Sequence, residues 1–188
     1  MWLLTIGLAL FLGAHTFTTL RSVRAGLIAR LGEGPYKGLY SLISAIGLVL
    51  IVWGFGRYRS SGYVQVWDPP AWLHPITLVL MWFAFVALAA TYSPLGKIKS
   101  TLRHPMLVGV KTWAIAHLLV NGDLGSIVLF GGFLLWAGYD RATLKRRGDM
   151  GAPASGATMG DAIALIIGSA AYVAMWWIHP LAIGVPID

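Results

Sequence analysis

The sequence contains no cysteine. Disulfides, thiolate metal ligands and cysteine nucleophiles are therefore excluded together. Charge is scarce too: 11% of residues carry it, where a soluble domain has roughly 25%. The shortage is worst on the acidic side, with seven Asp and Glu against fourteen Lys and Arg. None of the acidic residues falls inside an apolar run: Glu33, Asp68, Asp123, Asp140, Asp149, Asp161 and Asp188 stand in loops or at helix ends. That placement argues against a carboxylate pair for acid–base catalysis and against a carboxylate proton relay within the membrane. There is no evident internal repeat and no pair of broken mid-span segments, which weakens a transporter or assembly subunit as an assignment.

What the chain does have is apolar length. Hydrophobic residues make up 57% of its 188 residues, with mean hydropathy +0.73. Too few polar groups remain to cover a water-facing surface, so the bilayer is the expected solvent. Crossing it takes about 20 apolar residues per helix. The apolar runs predict an all-α polytopic transmembrane bundle, a single domain over 1–188, of about six helices at 2–20, 38–56, 72–92, 104–121, 124–139 and 161–180. The fourth and fifth are short and joined by the Asn121-Gly122-Asp123 turn. The Gly/Ala-rich stretch 148–160 reads as a flexible linker. Met1-Trp2-Leu3-Leu4 lacks a basic leader, so the first span is expected to remain in the protein.

The basic residues gather in alternate loops. Arg21, Arg24, Arg30 and Lys37 lie in the first, Lys97, Lys99 and Arg103 in the second, and Arg141, Lys145, Arg146 and Arg147 in the third. Short basic loops stay on the cytoplasmic side, which predicts both termini outside. Trp2, Trp67, Trp72, Trp176 and Trp177 then fall at the outer interface, as an aromatic belt would. The net charge of +7 is spread over these loops, which fits lipid headgroups as partner and not nucleic acid.

Histidine is the polar residue that the helices do carry. His15 lies in the first and His117 in the fourth, with His104 at the start of the fourth. His74 and His179 each precede a proline at a helix end, which suits interfacial packing or capping. Neutral imidazole is a favoured ligand for haem iron and other transition metals. The alternative for His15 is a structural ring bonded to Thr18 or Thr19, and those same threonines could instead orient a ligand ring. At 100° per residue, His104 and Lys111 share one stripe of the fourth helix, while His117 shares another with Trp113 and Asn121. Lys111, deep in an apolar run, either meets an anionic group or snorkels to water. With each span centred, His15 sits about 6 Å to the cytoplasmic side and His117 about 6 Å to the outer side. On depth alone, His15 pairs better with His104, and His117 with His74 or His179.

The run Leu102-Arg103-His104-Pro105-Met106-Leu107-Val108-Gly109, then Trp113-Ala114-Ile115-Ala116-His117-Leu118, then Asn121-Gly122-Asp123, resembles the NnrU family, as does Gly13-Ala14-His15. NnrU proteins are similar to the zeta-carotene isomerase, a membrane haem b protein with histidine ligands, and are named for an association with nitrite and nitric oxide reduction. The resemblance implies a multi-pass protein of the bacterial inner (cytoplasmic) membrane. It also implies haem b held by His15 and His117, with Arg103, His104, Lys111 and Asn121 nearby, and leaves room for a hydrophobic small-molecule substrate and an oligomer. In the isomerase, a cysteine three residues before the second histidine takes part in a ligand switch. Here that residue is Ala114, so the switch has no counterpart. A different class competes: Arg103-His104-Pro105 also resembles the motif by which isoprenylcysteine-type membrane methyltransferases bind S-adenosylmethionine. Of the acidic pair those enzymes use downstream, only Asp140 is present.

Overall fold

A computed structural model describes residues 1–187. The described residues form eight helices: α1 (Trp2–Thr19), α2 (Arg21–Leu31), α3 (Glu33–Ser60), α4 (Leu73–Tyr92), α5 (Lys97–Leu102), α6 (Pro105–Val120), α7 (Leu124–Arg146) and α8 (Met159–Ile183). Among them there is no strand, only an isolated bridge between Gln65 and Asp123. By length and composition α1, α3, α4 and α8 can cross a membrane, and α6 is apolar but shorter. The last two turns of α7 carry Asp140, Arg141, Lys145 and Arg146, which ends its apolar character before a full span.

Two stretches expected as loops are helical. α2 occupies most of 21–37 because Arg, Ala, Leu and Ile are compatible with a helix and no proline intervenes before Pro35. It stops at Gly32, whose φ of 85° suits glycine. α3 then starts at Glu33, with Pro35 in the first turn, where a missing N–H costs nothing. Charge, read as a loop signal, hid both α2 and α5.

The described residues divide into two compact units, 1–67 with 122–143, and 68–121 with 144–187. In the first, α1 packs on α3 at glycines. A Cβ on Gly7 would lie 2.6 Å from the Ile51 amide nitrogen, and one on Gly47 would lie 2.7 Å from that of Phe11. Gly54 faces the backbone of Leu3 and Leu4 just as closely. Small residues let helix backbones approach where lipid offers no hydrophobic drive for association. The chain leaving α3 is stapled to the start of α7. Val66 and Trp67 donate to the Gly122 carbonyl at 2.9 and 3.2 Å, and Leu124 donates to Val64 at 2.9 Å. Asp123 Oδ1 accepts the Ser126 amide at 2.9 Å, which satisfies an otherwise unpaired N–H at the α7 start.

In the second unit α4 lies between α6 and α8, burying Ala84, Ala87 and Ala90. Thr77 donates to the Ala116 carbonyl of α6 at 3.2 Å, and Trp82 Nε1 donates to Ser169 of α8 at 2.9 Å. Asp161 ties the start of α8 to the start of α5. Its carboxylate accepts the amides of Lys97 at 3.0 Å, Ile98 at 2.7 Å and Thr158 at 2.8 Å. Thr158 completes a capping box and donates to the Leu95 carbonyl at 2.8 Å. Asp161→Ala would leave three donors without an acceptor. The expected result is a lower melting temperature with several-fold faster proteolysis in 148–160; an unchanged digestion rate would contradict this role.

Candidate functional site

His15 sits one turn before the end of α1, half-buried, with its Nδ1 2.7 Å from the Phe11 carbonyl oxygen. A carbonyl oxygen only accepts, so Nδ1 carries the proton and Nε2 the lone pair. No other hydrogen bond of the His15 ring exists among the described residues. Phe11 stacks on the ring at 4.2 Å and 29°, Trp136 of α7 meets it edge-on at 5.6 Å, and Tyr40 of α3 lies at 5.5 Å. Thr18 donates to the backbone carbonyl of His15 at 2.7 Å and not to its ring, while Thr19 bonds Thr16 and Tyr139. The threonines therefore brace the helix around His15.

His117 repeats this arrangement in the other unit. Its Nδ1 lies 2.9 Å from the Trp113 carbonyl, and the Trp113 ring lies 5.3 Å away. The same argument places the proton on Nδ1 and the lone pair on Nε2. Asn121 donates to the His117 carbonyl at 2.8 Å. Each histidine thus has an aromatic residue four positions earlier and a polar side chain one turn later that caps its carbonyl. The shared face of Trp113, His117 and Asn121 was visible as a spacing, whereas the same spacing of Phe11 and His15 went unread. Tyr40 and Trp136 were not visible, because they reach His15 from other helices.

The remaining candidates are used differently. His104 Nε2 lies 3.3 Å from the Asp149 carbonyl and 3.8 Å from its carboxylate. Arg103 adopts φ 63°, uncommon for a residue with a Cβ. It is held there by Ala152, whose amide donates to the Arg103 carbonyl at 2.9 Å and whose carbonyl accepts from Nη1 at 2.8 Å. Ser100 donates to the Ser155 carbonyl at 3.3 Å. The stretch expected as a linker is irregular, yet it is bonded along its length to the α5–α6 corner. Lys111 is half-buried and makes no hydrogen bond or ion pair among the described residues. His179 holds the Val185 carbonyl at 2.7 Å, and His74 heads α4.

Among the described residues, no three His, Asp or Glu side chains gather into a metal cage. His15 and His117 each offer a single imidazole Nε2 as a possible donor. A family model described as NnrU protein matches residues 3–187. No curated protein and no solved structure matches the chain.

Proposed function

The chain belongs to the NnrU family, and from that premise we propose that it is an integral membrane protein binding haem b through His15 and His117. Its role would be redox, sensory or isomerase-like, linked to nitrite and nitric oxide metabolism. The observation that carries haem binding is the matched preparation of the two imidazoles. Each is held in the Nδ1–H tautomer by the carbonyl four residues earlier, which directs the Nε2 lone pair outward from its own helix backbone. Bound haem supplies one-electron redox chemistry and a ligand site at iron.

The protein's contribution is orientation and exclusion of water. Phe11, Tyr40 and Trp136 surround the His15 ring, and Trp113 lies against the His117 ring. Asn121 and Thr18 fix the backbone beneath each ring. Lys111 is proposed to meet an acidic group of the cofactor. The basic loops favour an inner-membrane orientation with both termini outside. Methyl transfer from S-adenosylmethionine draws no comparable support, since Arg103 and His104 are engaged with the Asp149–Ala152 turn.

Titration of haemin into the haem-free, detergent-purified chain tests the proposal. Saturable uptake of one haem per chain is expected, with no heat on adding S-adenosylmethionine. Uptake that never saturates would remove the proposal, and S-adenosylmethionine binding would replace it.

A further inference from the structure

At the end of the first unit where α1 finishes and α3 begins, several buried polar atoms have no partner. They are Nε of Arg24, the Tyr36 hydroxyl, Nε1 of Trp136 and Nη1 of Arg141. α7 runs alongside α1 with its basic end at the same place: Phe133 meets Phe11, Trp136 meets His15, and Tyr139 bonds Thr19 at 3.2 Å. Arg24 lies 5.8 Å from the Tyr36 ring centre. Neither arginine forms an ion pair with a carboxylate among the described residues.

Every one of these atoms is a hydrogen-bond donor, and two belong to guanidinium groups. A buried donor left without an acceptor is destabilising, and donors from α2, α3 and α7 in the same unit can be satisfied together by one acceptor with several oxygens. The nearby Glu33 carboxylate feels the charge of Arg24 but forms no ion pair with it, so these donors lack an oxyanion in direct contact. The helices on either side expose apolar side chains, among them Leu39, Leu42 and Ile46 of α3. We propose that Arg24, Tyr36, Trp136 and Arg141 form a site for the oxyanion headgroup, phosphate or carboxylate, of an apolar ligand lying along unit one. Arginine is suited to this, because its planar donor fork matches two oxygens at once. The site would fasten an acidic lipid at the basic end of α1, α3 and α7. It does not depend on haem binding.

Native mass spectrometry of the full chain in detergent tests it, with phosphatidylglycerol, oleate and phosphatidylcholine as probes. At least one of the two anionic probes should bind about tenfold more tightly than phosphatidylcholine. Tightening with phosphatidylglycerol alone would assign the headgroup as phosphate, and with oleate alone as carboxylate. Arg24→Gln and Arg141→Gln should each remove most of that preference. Tyr36→Phe, which deletes one hydroxyl and leaves the ring packing intact, should weaken it several-fold even if the arginine variants fold poorly. Lys145→Gln, at an exposed basic residue of the same helix as Arg141, should leave it unchanged. Equal binding of phosphatidylcholine, or an equal loss in Lys145→Gln, would overturn the site in favour of diffuse charge attraction.

Discussion

Gly54→Val should separate α1 from α3 and cost about 3 kcal/mol, near the upper end for overpacking. The reason is what the new side chain would strike. Around Gly54 the nearest atoms are the backbone of Leu3 and Leu4, and Gly7 and Gly47 likewise face backbone on the opposite helix. A side-chain tip can swing aside, but a helix backbone moves only with the whole helix. Because lipid tails are as apolar as leucine, little else draws the two helices together once close contact is lost. Gly13 supplies the contrast, since nothing lies within 4 Å of a Cβ placed there. Gly13→Ala should be neutral or gain up to about 1 kcal/mol from helix propensity. Thermal unfolding of both variants in detergent checks the pair. Equal stability of the two would refute glycine-mediated packing.

His15→Ala and His117→Ala should each weaken haem binding by more than about a hundredfold, beyond the loss typical of removing an orienting partner. Each substitution removes a proposed iron ligand while leaving the backbone bonds from Thr18 and Asn121 in place. Helicity by circular dichroism should therefore be unchanged. His74→Ala serves as the control, because among the described residues the His74 ring makes no hydrogen bond, its amide donating to the Ala71 carbonyl, and it should bind haem as the natural chain does. Retention of full affinity in both ligand variants would show that neither imidazole is used.

The legible parts of this fold were those written in long apolar runs. α1, α4 and α6 end within a residue or two of where hydropathy put them, since each is a nearly uninterrupted apolar run that ends at polar or turn-forming residues. α3 ran longer than expected at both ends and α7 at its end, because those turns carry charge, and charge at a helix end is compatible with helix. The packing glycines were not legible. The chain holds 23 glycines, and only the pairing of α1 with α3 distinguishes Gly7, Gly47 and Gly54 from Gly13. The site was legible only in part. The His15 ring was expected to bond Thr18 or Thr19, one turn on, but it bonds the Phe11 carbonyl one turn back, because the threonine hydroxyls are taken by backbone carbonyls. Trp136, more than a hundred positions from His15, becomes its neighbour only through the course of α7 beside α1.

The most direct measurement is the absorption spectrum of the full chain purified in detergent from cells supplied with a haem precursor. An intense Soret band that shifts on reduction, and is lost in His15→Ala and in His117→Ala, is the expected result. A colourless protein under the same conditions, with its helicity intact, would contradict haem binding by this chain.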